Sequence, residues 1–251
     1  MTNTIAILTG ASRGIGAGLA RGLLRPGTQL ITLARRADPD LAAQAQAKGV
    51  PLEQIQVDLS DLQAAEQTAE RLCKALPRNA ARYLLINNAG TVKPVAAAGE
   101  LTDSAVINIA FNLNVSAVML LTARFVATVQ DLQADRRVLN ISSGAGRNPN
   151  AGWGVYCATK AALDMYTRVL KQEQGADGVR TVALAPGIVD TGMQETIRAS
   201  DPSSFPALEK FREFHATGKL AAPDAVATQI LAYLDRDDFG TTEIDDIRNY
   251  D

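Results

Sequence analysis

Apolar residues in this chain fall into short unbroken runs separated by longer stretches rich in Ala and Leu. The runs are IAIL (5–8), LITL (30–33), IQV (55–57), YLLI (83–86), RVLNI (137–141) and TVALA (181–185). Most show no alternation of polar and apolar positions, as strands covered on both faces require. Between them, apolar positions recur at helical spacing over 16–25, 38–48, 62–76, 104–130 and 155–174. Such regular alternation predicts an α/β fold: one doubly wound parallel sheet with helices on both faces. The stretch RASDPSSFPALEKF (198–211) interrupts the pattern with prolines and polar residues. Patterned sequence resumes beyond it, so it reads as an insert and not a linker. The expected organisation is one domain over 1–251, with a substrate-lid insert at about 192–220.

Composition narrows the function classes. A chain of 251 residues can bury a sizeable core. A net charge of −2 offers nucleic acid no basic surface. The most apolar stretch, VSAVMLLTARFVATV (115–129), is broken by Arg124 and reads as too short for a membrane span. MTNTIAILTG has no basic region ahead of a long apolar core, so no secretion signal is expected. Cys73 and Cys157 are too few for a disulfide framework, and with His215 alone a His/Cys metal site is not expected. These features predict a cytoplasmic protein with reduced thiols. His215 is expected on the surface of the insert, and Cys157 as a buried small residue.

The first run leads straight into TGASRGIG, with Gly10, Gly14 and Gly16 opening a helix. Small residues there let the backbone approach a phosphate, and the helix N-terminus favours an anion. No Gly-Lys-Ser/Thr follows, which argues against a mononucleotide loop. Ser12, Arg13 and Ile15 join the glycines as candidate dinucleotide contacts. After the second run, NAD binding would call for a carboxylate. LARR supplies Ala34, Arg35 and Arg36 instead. Arg35 and Arg13 converging on a 2′-phosphate would select NADP(H); otherwise they are solvated charges. Asp58, in VDLS, is placed to accept from an adenine amino group with Leu59 beside it. Asp58 is equally readable as an acid at a helix N-terminus.

Tyr156 and Lys160 stand four apart in YCATK, which places them on one helix face. A neighbouring ammonium is expected to lower the phenol pKa from about 10. Ser143 ends the fifth run in NISSGAG, at the strand edge where α/β sheets bind ligands, whereas Ser142 is expected to face the other way. In the chemistry this set allows, a nicotinamide gives hydride to a carbonyl carbon. Tyr156 protonates the oxygen, and Ser143 donates to it. Asn114, a poor residue for a helix interior, either holds a water linked to Lys160 or is a helix-surface polar group. Trp153, three before Tyr156, either walls a substrate pocket or belongs to the core or an interface.

These motifs, together with NNAG (87–90), NVSA (114–117) and PGIVDT (186–191), resemble the short-chain dehydrogenase/reductase family in order and spacing. The resemblance implies a Rossmann-type domain with a catalytic set of Asn114, Ser143, Tyr156 and Lys160. It implies that Asn88, Ala89 and Gly90 border the cofactor, and that Pro186, Gly187, Val189 and Thr191 flank the nicotinamide. It further implies a homodimer or homotetramer joined through helices 104–130 and 155–174. GWGVYCATKAALDM (152–165), LARR and the C-terminal GTTEIDDIRNYD are similar to the sepiapterin reductase and benzil reductase branch. That likeness implies a substrate-anchoring aspartate, Asp245 or its rival Asp246, unless the acidic tail is simply solvated. The expected activity is NADPH-dependent reduction of a small ketone or diketone. The competing expectations are an NAD-dependent alcohol dehydrogenase and a non-catalytic NADP-binding redox sensor.

Overall fold

The computed structural model describes residues 3–250. Seven strands form one parallel sheet: β1 (Thr4–Thr9), β2 (Thr28–Ala34), β3 (Leu52–Gln56), β4 (Arg82–Asn87), β5 (Asp135–Ile141), β6 (Arg180–Ala185) and β7 (Ile244–Asp246). Their order is β3-β2-β1-β4-β5-β6-β7, so the winding reverses between β1 and β4. That reversal opens a crevice at the carboxyl ends of the strands, where ligands of such sheets bind.

Side chains of each strand alternate between two cores. On β1, Ala6 and Leu8 face one core, and Ile5 and Ile7 the other. The first core is closed by α1 (Gly14–Leu23), α2 (Pro39–Lys48) and α9 (Pro223–Asp235), through Leu19, Leu41 and Ile230 among others. The second is closed by α3 (Leu62–Ala75) and α5 (Ala117–Val129), through Leu72, Leu121 and Phe125. α4 (Ser104–Phe111) continues through a π-helical turn (Asn112–Ser116) into α5, and α6 (Gly154–Gln174) follows β5. Helices on both faces of a parallel sheet make this a single-domain Rossmann-type α/β fold.

Several expectations shift. β3 starts three residues earlier than its apolar run, because polar Glu53 and Gln56 are tolerated on an edge strand. The C-terminal segment adds α9 and β7, which the apolar-run pattern did not place. α4, the π turn and α5 form one rod that is long and apolar enough to cross a membrane by length and composition. Arg124 does not interrupt it: this side chain points outward while Val118, Leu121, Phe125 and Val129 are buried along the sheet. The segment 192–220 holds α7 (Gly192–Arg198) and α8 (Leu208–Ala216). Its two ends meet where Asp190 N donates to Ala221 O (2.9 Å) and Ala221 N to Ile188 O (3.0 Å).

Candidate active site

Gly10 and Gly14 hold positive φ of 71° and 55°, which turns the chain from β1 into α1. Gly16 is required by contact: a Cβ there would lie 2.0 Å from the Gly10 carbonyl oxygen. Asn88 fastens the loop from β4, its amide donating to Thr9 O (3.0 Å) and Gly10 O (3.1 Å). Ala89 N and Asn88 N both donate to Thr9 Oγ1. The N-termini of α2, α3 and α4 are capped by Asp38, Asp61 and Asp103, but α1 has no side-chain cap and no acid in its first turn. Its free amides therefore suit a bound anion, and the donor set fits a dinucleotide pyrophosphate.

Around this loop Ser12 and Arg13 are exposed, and Ile15 packs partly on the core. Arg13 leans toward α7, its Nη1 lying 3.5 Å from where a Cβ on Gly192 would sit. Arg35 is exposed at the tip of β2, and its charge helps hold the Asp58 carboxyl below the usual range. The larger cause is hydrogen bonding from Ser60, whose hydroxyl and amide donate to Asp58 at 2.7 and 3.0 Å. Asp58 thus forms a turn beside Ser60, while the Leu59 side chain is buried in the core. Thr191 approaches the loop from the other side, within 3.1 Å of a Cβ position on Gly14.

Across the crevice, α6 presents Tyr156 and Lys160 on one side. Lys160 Nζ donates to Ile141 O at 2.7 Å and lies 5.8 Å from the centre of the Tyr156 ring. Ser143, just past β5, accepts from Ala145 N at 3.2 Å and faces Tyr156 with its hydroxyl. Burial decides both acidities. It pushes the Tyr156 phenol up to about 12, with hydrogen bonding from Ser143 opposing the rise and Cys157 adding to it. It pushes Lys160 down to about 8, with the Asp164 charge opposing. The expected lowering of the phenol by Lys160 does not appear: burial raises the phenol, and the group that opposes the rise is Ser143.

Asn114 is fully buried in the π turn and not on a helix surface. Its Oδ1 accepts from Thr91 N (2.8 Å), and its Nδ2 donates to Thr91 O (2.8 Å) and Thr159 Oγ1 (3.0 Å). It clamps the irregular segment after β4 to α6. A Cβ on Gly90 would lie 3.3 Å from Asn114 Oδ1 and 3.9 Å from Lys160 Nζ, so the glycine keeps that corner open.

The short chain dehydrogenase family pattern matches residues 4–202. This chain belongs to that family. It is an oxidoreductase, and curated relatives carry reductase names. Benzil reductase ((S)-benzoin forming) of Bacillus cereus is 36% identical over 95% of this chain and 96% of its own. Sepiapterin reductase of Bos taurus is 34% identical over 94% of this chain and 92% of its own. Among solved structures, a short-chain dehydrogenase from Sphingobium yanoikuyae in complex with NADPH superposes with a TM-score of 0.78 at 25% identity. That match covers 99% of this chain and 89% of that one.

In this short chain dehydrogenase a third apolar cluster adjoins Tyr156. Trp153 stacks on Phe205 (centroids 5.0 Å apart, 12° between planes) and meets Tyr156 edge-on at 5.6 Å. Phe211 completes the cluster, 5.3 Å from Trp153 and 5.5 Å from Phe205. Both phenylalanines come from the 192–220 segment, whose tip is also tied down by Ser204 Oγ donating to Glu100 (2.8 Å). Phe205 and Phe211 were missed by sequence reasoning; aromatic residues in a proline-rich, polar stretch were the available signal. Cys157 is half-buried, with its Sγ 4.0 Å from Asn148 O, and His215 is exposed as expected.

Past β6, Gly187 takes a φ of 77° beneath Arg248, and Val189 bridges to Ala221. Pro186 begins this segment directly after β6. Asp245 is corrected: it offers no free carboxylate. Its Oδ2 accepts from Tyr233 (2.9 Å) and Tyr250, and its Oδ1 from Asp246 N (2.8 Å) and Asn249 Nδ2 (3.3 Å). The rival Asp246 is held bidentate by Arg248. The expected substrate anchor thus ties Asn249 and Tyr250 to α9.

Proposed function

We propose that this short chain dehydrogenase is a carbonyl reductase that uses NADPH to reduce a small ketone or diketone. The carrying observation is the convergence of Ser143, Tyr156 and Lys160 across the crevice from an uncapped glycine-loop helix. The benzil and sepiapterin reductase relatives support the substrate class, and the NADPH-bound neighbour supports the cofactor. When bound, the reduced nicotinamide supplies hydride. Tyr156 gives its phenolic proton to the carbonyl oxygen; a phenol held up at about 12 keeps that proton until the oxygen takes on charge. Ser143 donates a hydrogen bond to the same oxygen. Lys160, ammonium below about pH 8, sits where it can steady the phenolate left behind. Trp153, Phe205 and Phe211 supply an apolar wall, and the docked segment acts as the lid.

Tyr156→Phe tests the reading. Turnover is expected to fall by about 10²-fold or more, with the NADPH-induced rise in melting temperature kept. Unchanged turnover refutes the assigned acid. Arg35 and Arg13 serve as the 2′-phosphate contacts. Arg35→Asp combined with Arg13→Ala is expected to weaken NADPH binding by at least about tenfold while sparing NADH. Equal NADPH affinity in the double variant would remove that assignment. The enzyme is proposed to be cytoplasmic and homo-oligomeric. Val106, Ile109, Met119, Met165 and Val169 leave α4, α5 and α6 with exposed apolar positions that a second copy would cover.

A further inference from the structure

Three consecutive residues at the end of β5 each engage one polar position on α6. Ile141 accepts from Lys160 through its carbonyl, Ser142 donates its hydroxyl to Asp164 Oδ1, and Ser143 faces Tyr156. Positions 156, 160 and 164 stand four apart, so the three side chains form one stripe along the helix. Asp164 is 4% exposed and Lys160 5%. A buried carboxylate is costly unless charge or hydrogen bonds compensate it. Here Ser142 satisfies one oxygen only. Oδ2 has no hydrogen-bond partner, and Arg147 Nε stands 3.7 Å away, beyond hydrogen-bonding distance.

We propose that Asp164 is a positioning residue of this site, the buried counter-charge that holds the Lys160 ammonium and the Ser142–Ser143 strand end in working register. The charged groups facing Asp164 are Arg147 from the segment after β5, and Lys160 and Arg168 from α6 itself. The Arg147 charge also acts on Asp246 of β7, which is paired with Arg248. Lys160 is faced by Asp164 and by the ring of Tyr156. Burial alone would drive the ammonium toward its neutral form, and Asp164 is the charge that opposes this. Burial also raises the Asp164 carboxyl, against Ser142, Arg147, Lys160 and Arg168. A carboxyl kept buried at this cost, within the stripe that carries Tyr156 and Lys160 and with Arg147 3.7 Å away, is better explained by the charges it faces than by packing. An apolar residue would fill the same space more cheaply.

The kinetic part rests on the proposed role of Lys160; the titration part does not. The test uses cofactor-free protein labelled with ¹³C at lysine Cε, with the Lys160 signal identified by its absence in Lys160→Arg. In Asp164→Asn, which keeps an acceptor for Ser142, the Lys160 midpoint is expected to fall by at least about half a pH unit. In Arg147→Gln, which removes a cation from the exposed side, it is expected to rise. The alkaline limb of kcat/KM for NADPH-driven reduction is expected to move in the same direction in each variant. A merely structural aspartate would lower stability or rate without moving the alkaline limb of kcat/KM. An unmoved Lys160 midpoint in folded Asp164→Asn overturns the proposal. If that variant does not fold, an unmoved midpoint in Asp164→Ser, which also keeps an acceptor for Ser142, does so. A midpoint that moves while the rate profile stays fixed upholds the Asp164–Lys160 coupling and counts against the phenolate-steadying role given to Lys160.

Discussion

Gly16 shows how a single missing methyl group can decide whether the crevice exists. Within a helix, Gly→Ala ordinarily stabilises by up to about 1 kcal/mol. Here the new Cβ would meet the Gly10 carbonyl oxygen at 2.0 Å and Asn88 Nδ2 at 2.5 Å, so the clash dominates. Gly16→Ala is expected to destabilise the protein by about 1–3 kcal/mol and to abolish the NADPH-induced rise in melting temperature, both read by thermal unfolding with and without cofactor. The glycine, the Tyr156–Lys160 spacing and Ser143 were legible because each depends on local sequence. The acidity of Tyr156 was not, because it depends on how deeply the fold buries the phenol. The burial of Asn114, for which a helix-surface position was the alternative, was not legible either, because its partners, Thr91 and Thr159, are distant in sequence. The 156/160/164 spacing that exposes Asp164 was present in the sequence all along.

The strands and helices that pack on both faces announced themselves as unbroken apolar runs and helical periodicity. β7 did not, because it has three residues, two of them acidic, and gains its place only by pairing with β6. α7 and α8 are short, and their position is fixed by tertiary contacts between Phe205, Leu208 and Phe211 and the wall around Trp153. The segment that carries them is held by few groups, so its loss should be local. Phe205→Ala is expected to speed tryptic cleavage between Arg198 and Lys210 at least about tenfold, since deleting a buried phenyl costs about 3–5 kcal/mol. Global melting should hardly change. Cleavage at the wild-type rate would show that the tip is not docked through that ring.

Across the whole molecule, two cores back a sheet whose winding reverses beside the glycine loop, and this much followed from the alternation of elements. What no pattern within one chain reveals is why α6 keeps Met165 and Val169 more than two-fifths exposed. Met165→Glu together with Val169→Glu is expected to convert the assembly to monomers, measured by light scattering at micromolar concentration. A wild-type protein already monomeric there would dispose of the proposed oligomer. The return of residues 190–221 to their point of departure has a different consequence. Because Ile188, Asp190 and Ala221 close its base with two backbone hydrogen bonds, this excursion is a cassette. A replacement of different length is expected to leave strand order intact, provided that it again supplies aromatic partners for Trp153 in the place of Phe205 and Phe211.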